Sequence, residues 1–154
     1  HHLDLSVNMV NVLLLAEQRG IRVRTVTEDE PRAIPQMSLE VRSGDQTREI
    51  LGSVYEDALP RVLRIGRYHM DMVPAGPMML LMNRDQPGMV GLVGNEMGAA
   101  GVNIADMAIS RHDETALMVL KLDEMPDESL LNRLRHRPGI LKVAPVLLPP
   151  LKTD

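Results

Sequence analysis

The sequence predicts an α+β protein, in which a partial α/β domain rich in hairpins precedes a second half of order βαββαβ. Two observations predict this class. Short apolar stretches separated by glycine turns follow Pro31, which is typical of hairpins. After Pro74-Ala75-Gly76-Pro77 the pattern changes to short strands that alternate with two helical stretches. We therefore place a domain boundary at this punctuation.

The first half is predicted to open with a helix and to continue as a meander of strands. Apolar residues recur at helical spacing before Gly20, which stands where a C-terminal cap is expected: Leu5, Met9, Val12, Leu13 and Ala16. Strands are predicted at 21–26, 37–42, 48–55, 62–65 and 68–73. Because the first helix has no strand before it, we expect residues 3–76 to be the end of a larger domain.

The second half, 77–149, is predicted to contain four strands and two helices, followed by a tail at 150–154. The strands are expected at 78–82, 104–110, 115–122 and 140–147, and the helices at 87–100 and after the capping residue Asp127. This order indicates the ferredoxin-like arrangement, with both helices on one face of an antiparallel sheet. Since no second layer of helices is predicted, we expect the other face to stay solvated or to pair with another copy.

Composition excludes several classes of protein. A net charge of −4 and only two aromatic residues, Tyr55 and Tyr68, are unlike a nucleic-acid-binding surface. No apolar run approaches a membrane span, so no membrane association is predicted. The lack of cysteine favours a cytoplasmic location. His1 and His2 are consistent with a tag remnant and are left out of the metal argument.

No catalytic group, metal site or cofactor site is predicted within the chain. The glycines of the first helix predicted in the second half do not have the dinucleotide-binding spacing, and we expect Gly98 to permit close packing instead. His69, His112 and His136 are isolated from one another and from acidic clusters. The chain by itself is therefore predicted not to be an enzyme.

The candidate ligand site lies where the first strand of the second half gives way to a helix. Asp85 is placed either to cap this helix or to bind a ligand's ammonium group. Gly88 leaves the free amide groups of the helix open to a carboxylate. Asn103, before the next strand, either tolerates a turn conformation or offers an amide to the ligand.

A basic cluster surrounds the Gly66 turn. Arg61 and Arg67 are predicted to share one face of a strand while Arg64 points away. The cluster is either an arginine-guarded hairpin edge or a site for an anion.

Several of these residues carry a resemblance to known families. Arg84-Asp85-Gln86-Pro87-Gly88, followed by Gly101-Val102-Asn103-Ile104-Ala105, resembles the ACT domain signature RDRPG…GINIA, and Arg137-Pro138-Gly139-Ile140 resembles the LPGI before the last strand of that family. Asn8 to Asn11 and Leu14 to Ile21 resemble a stretch of the intervening, allosteric substrate-binding domain of long-form D-3-phosphoglycerate dehydrogenases. The resemblance extends to 61–65 and so covers nearly the whole chain.

The resemblance implies the C-terminal regulatory portion of an NAD-dependent dehydrogenase of serine biosynthesis. In that family, serine bound between ACT domains contacts residues matching Asn83, Asp85 and Asn103, although Asn83 stands where some members have His or Tyr. We therefore expect L-serine or a similar amino acid as ligand, and a homodimer or tetramer through ACT domains. The anion-binding alternative for the arginine cluster gains support from the same family. The alternatives are the regulatory tail of an iron-sulfur L-serine dehydratase and a ligand-free ACT assembly module.

Overall fold

The computed structural model of the chain describes residues 10–27, 34–55 and 59–151. The chain divides into two compact units, 1–31 and 32–154. Leu5 and Met9 of the predicted first helix, both terminal histidines and the last three residues of the predicted tail lie outside the described residues.

The first unit contributes one short helix, α1 (Val12–Gln18). Gly20 follows it with φ of 71°, and the Ile21 amide donates to the Ala16 carbonyl at 2.8 Å, as expected for a glycine-terminated helix. The strand predicted at 21–26 is wrong, because these residues are exposed and form no ladder with any described strand. Alternating sequence alone does not make a strand when no partner supplies the hydrogen bonds.

The second unit begins with the predicted meander. It comprises β1 (Gln36–Ser43), β2 (Gln46–Val54), β3 (Pro60–Ile65) and β4 (Tyr68–Met72), paired antiparallel in that order. Gly44 and Gly66, with φ of 56° and 57°, form the two tight turns, which require the left-handed backbone that glycine adopts without strain.

The rest of the second unit is the predicted ferredoxin-like βαββαβ arrangement. Its elements are β5 (Pro77–Arg84), α2 (Met89–Ala99), β6 (Ile104–His112), β7 (Thr115–Leu122), α3 (Glu128–Arg135) and β8 (Ile140–Leu147). The sheet order β6-β7-β5-β8 is antiparallel throughout and leaves β6 and β8 at the edges. Asp127 caps α3 as predicted, accepting a hydrogen bond from the Leu130 amide at 2.7 Å.

One apolar core lies between this sheet and its two helices. Successive turns of both helices bury leucine, valine or methionine in this core. The fully buried members from the helices and the sheet are Met79, Leu81, Val93, Met97, Met118, Leu120, Leu130 and Leu134. Burying an aliphatic side chain of this size contributes about 1.5–3 kcal/mol. Gly98 is not close-packed as predicted, since no described atom outside its neighbours and its own helix backbone lies within 4 Å of a Cβ built there.

The opposite face of the sheet is covered by the chain itself, so the expectation of a face left to solvent or to a second copy is wrong. Tyr68 and Met72 of β4 form an apolar cluster with Met78, Leu117 and Val119 of the ferredoxin-like sheet. The period-two alternation of β5 and β7 therefore serves two cores, with helices on one side and hairpins on the other.

Candidate functional site

The candidate site is built around the loop that joins β5 to α2. The Asp85 amide donates to the Glu114 carbonyl at 2.8 Å, which ties this loop to the β6–β7 turn. Gly88 is the N-cap residue of α2, with φ of 89° and no side-chain cap on the helix. The first amides of an uncapped helix carry a partial positive charge and favour an anion.

Asp85 does not cap α2, although capping this helix is one of the two roles that the sequence allows for it. Its Oδ2 instead accepts a hydrogen bond from Arg111 Nε at 2.7 Å and lies 2.6 Å from Arg111 Nη2 in an ion pair. The hydrogen bonds to Asp85, followed by its negative charge, raise the pKa of Arg111 above its usual value. Arg111 lies near the end of β6, just outside the strand predicted at 104–110.

Asn83 is the buried polar residue of the site, with 1% of its surface exposed. Its Nδ2 donates to the Arg84 carbonyl at 2.6 Å. Its Oδ1 has no hydrogen-bond partner among the described residues. A buried acceptor without a partner costs about 1–3 kcal/mol, so a donor that reaches this oxygen would be bound favourably.

These groups line one depression of about 430 Å³. Asn83, Asp85, Gly88 and Arg111 supply its polar groups, and Ile109 and Met118 are among its apolar lining. Of the four predicted ligand-binding residues, the fold thus brings together Asn83, Asp85 and Gly88.

Asn103 lies at the other end of the same sheet. Its carbonyl accepts from the Asp123 amide at 3.3 Å, just beyond β7, and its Nδ2 donates to Asp123 Oδ2 at 2.9 Å. Asp85 is bonded to Glu114, just before β7. At the usual rise per strand residue, the length of β7 separates Asn103 from Asp85 by roughly 25 Å within one chain.

The three arginines of the Gly66 cluster each face a different carboxylate. Arg64 Nη2 donates to Glu49 at 2.6 Å, Arg61 Nη1 lies 3.4 Å from Asp71, and Arg67 Nη1 lies 3.5 Å from Asp113. Arg61 also stacks on the Tyr55 ring at 5.4 Å. An anion binding here would compete with these carboxylates.

A second ionic cluster, which no sequence pattern predicted, joins α2 to α3 and to the residues that follow α3. Glu96 of α2 accepts hydrogen bonds from Arg137 Nε at 2.7 Å and from Arg133 Nε at 3.1 Å. The hydrogen bond from Arg137 and then that from Arg133 lower the pKa of Glu96, against the opposing effect of burial. Glu96 is 37 residues from Arg133 and 41 residues from Arg137 in the sequence. No local sequence pattern therefore predicts these ion pairs.

Within the described ranges, no group of three or more histidine or acidic side chains is arranged to hold a metal ion. No helix formed by those residues is long and apolar enough to cross a membrane.

The fold defines the class of the protein, a ferredoxin-like βαββαβ module joined to a second antiparallel sheet. Family comparison agrees with this class. Residues 78–141 match the ACT domain family, and residues 1–66 match the family described as the D-3-phosphoglycerate dehydrogenase intervening domain. The chain therefore combines an ACT domain with a D-3-phosphoglycerate dehydrogenase intervening domain.

Several similar proteins are also named as D-3-phosphoglycerate dehydrogenases. Proteins named D-3-phosphoglycerate dehydrogenase from Methanocaldococcus jannaschii and Bacillus subtilis are each 26% identical to it, over 93% and 95% of this chain and 28% of their own length. D-3-phosphoglycerate dehydrogenase 2, chloroplastic, from Arabidopsis thaliana is 30% identical over 85% of this chain and 23% of its own length. The chain thus spans about a quarter of the length of these relatives.

Proposed function

We propose that this chain is the regulatory, amino-acid-sensing portion of a D-3-phosphoglycerate dehydrogenase, and that its ligand is L-serine. The observation that carries the proposal is the depression at the start of α2, where Asn83, Asp85 and Gly88 lie together. The family matches at 1–66 and 78–141 support the same assignment. Feedback control of serine biosynthesis would then act through this site.

The groups of the depression complement the two charged ends of an amino acid. The Asp85 carboxylate suits an ammonium group, and the uncapped start of α2 at Gly88 suits a carboxylate. The unpartnered Oδ1 of Asn83 can accept a hydrogen bond from the ammonium or from a side-chain hydroxyl.

A second copy of the chain is part of the proposal, because it is the simplest source of Asn103. Strand β6 forms one edge of the sheet, Asn103 precedes it, and Arg111 lies near its end. Antiparallel pairing of two β6 edges about a twofold axis brings the start of one strand beside the end of the other. Asn103 of one copy would then approach the depression of its partner.

The catalytic chemistry is proposed to reside in the remainder of the parent enzyme. There we place the NAD and 3-phosphoglycerate sites, and we propose a cytoplasmic location for the whole protein. The arginine cluster at 61–67 is proposed as a secondary anion site, at which an anion would replace the carboxylates that now pair with these arginines.

Calorimetric titration of the 154-residue chain with L-serine tests the proposal. We expect saturable binding that Asp85→Ala weakens at least tenfold, and that Asp45→Ala, in the exposed β1–β2 turn, leaves unchanged. For Asn103→Ala, calorimetry measures serine binding, and sedimentation with and without serine measures the dimer. The two measurements together report whether this variant loses both. A dimer that is indifferent to every amino acid would support the assembly-module alternative instead.

A further inference from the structure

We infer that the depression selects a free α-amino acid in its zwitterionic form, and that Arg111 is the residue that receives the ligand's carboxylate. This inference rests on the proposed function and adds to it a specificity-determining residue. The resemblance to known families points to the loop 83–88 and to Asn103, whereas Arg111 comes from a different strand.

The Asp85–Arg111 pair is the first observation. A carboxylate has two oxygens and a guanidinium has five N–H donors. The contacts between these two side chains use one oxygen, Oδ2, and two donors, Nε and Nη2. The same two groups can therefore bind a ligand that carries an ammonium and a carboxylate on one carbon. An amino acid replaces the internal pair with two pairs of the same kind, so that the charges inside the depression stay balanced.

The two side chains of the pair differ in their exposure to solvent, which indicates which of them can move. The Arg111 side chain is 73% exposed, whereas the Asp85 side chain is 21% exposed. An exposed ion pair contributes little to stability, so Arg111 can leave Asp85 at small cost. Asp85 is held by its loop, whose amide is bonded to the Glu114 carbonyl at 2.8 Å. Arg111 is therefore the movable partner and Asp85 the fixed one.

The second and independent observation is Asn83. Asn83 lines the depression, and its buried Oδ1 has no partner in the part of the chain that the structure describes. An amino acid bound in the depression can supply the hydrogen-bond donor that such an acceptor favours. The ammonium thus lies between Asp85 and Asn83, and the carboxylate lies toward Arg111 and the first amides of α2.

This arrangement excludes ligands that lack either charge. Replacing the carboxylate by a neutral amide leaves the guanidinium and the helix amides without an anionic partner. We therefore expect L-serinamide, which keeps the ammonium and the hydroxyl, to bind much more weakly than L-serine. The difference in affinity between these two probes measures how the carboxylate is recognised.

The test compares this preference in the unchanged chain and in Arg111→Gln, by calorimetry. We expect Arg111→Gln to bind L-serine about 10- to 100-fold more weakly, as is usual for loss of a charge-assisted hydrogen bond, and to lose most of its preference over L-serinamide. Arg111→Lys should recover part of the preference, because it restores the charge without the fork geometry.

Arg42→Gln is the matched control. Arg42 is 75% exposed and also pairs with a carboxylate through Nε, but it lies on β1 and does not line the depression. This variant should bind both probes like the unchanged chain. If Arg111→Gln keeps the full preference for L-serine while Asp85→Ala weakens binding, the role of Arg111 is refuted and the proposed function stands. If the unchanged chain binds no amino acid, both are refuted.

Discussion

The Tyr68 hydroxyl lies 2.7 Å from Thr115 Oγ1 and joins the hairpin sheet to the ferredoxin-like sheet. Thr115 Oγ1 also donates to the His112 carbonyl at 3.0 Å, and a hydroxyl has a single hydrogen to give. Tyr68 is therefore the donor to Thr115. The β6–β7 turn is thus held by Tyr68 on one side and by the Asp85 loop on the other.

The first prediction concerns this hydrogen bond. Tyr68→Phe removes the donor from a side chain that is otherwise buried, and we expect it to lower the free energy of unfolding by about 1 kcal/mol. Thr115→Val should cost a similar amount, and the double variant should cost less than the two single losses together, by about 0.5–1.5 kcal/mol. Urea unfolding of the four proteins measures this coupling. Strict additivity would show that the two hydroxyls do not interact in solution.

Much of the fold was predictable because its signals are local. The helices α2 and α3 and all eight strands of the second unit follow the periodicity and turn residues that the sequence shows, and Asp127 caps its helix from three residues away. The covered sheet face was not predictable, because periodicity tells which residues are buried but not which element covers them. That is why Tyr68 and Met72 were not expected against Leu117.

The candidate site was predictable only in part for the same reason. Asn83, Asp85 and Gly88 are neighbours in sequence, so a motif could find them. Arg111 is 26 residues from Asp85, and only the return of β6 beside β7 brings the two together. The arginines at 133 and 137 that bind Glu96 are distant in sequence as well, so local patterns gave no signal for either ionic cluster.

The second prediction uses two glycines near α2 that differ in backbone conformation. Gly88→Ala forces an alanine to adopt φ of 89°, which should destabilise the fold by about 1–2 kcal/mol. Gly98→Ala places a methyl group in open space on a helix, which should stabilise it by about 0.5–1 kcal/mol. Thermal unfolding of both variants checks the opposite signs. A destabilising Gly98→Ala would mean that another chain packs on this helix face.

The third prediction concerns the pH dependence contributed by Glu96. Because hydrogen bonds from Arg137 and Arg133 lower its pKa in the folded state, unfolding raises that pKa back to its usual value near 4.5. The stabilisation is therefore fully present above that value and is lost as the pH falls through the lowered folded-state pKa. Glu96→Gln should be less stable than the unchanged chain at pH 7, and the difference should shrink in acid.

Urea unfolding at a series of pH values from neutral to acid measures this difference. Glu128→Gln is the control, since the exposed Glu128 is the first residue of α3 and pairs with Arg135, the last residue of that helix. An exposed ion pair of this kind contributes about 0–1 kcal/mol, so this variant should follow the unchanged chain closely. A stability difference for Glu96→Gln that does not change with pH would show that its ionisation is not linked to folding.

The fourth prediction separates stability from ligand binding at Asn83. Asn83→Leu replaces a buried amide by an apolar side chain with the same branching and the same number of heavy atoms. The Oδ1 that is removed has no partner among the described residues. Removing an unpartnered acceptor gains about 1–3 kcal/mol, and losing the Nδ2 bond to the Arg84 carbonyl costs about 0.5–1.5 kcal/mol. The variant should therefore be at least as stable as the unchanged chain and should bind L-serine at least tenfold more weakly. Thermal unfolding and calorimetry of the same preparation test both halves. A variant that loses stability but keeps its affinity would show that Asn83 serves the fold and not the ligand.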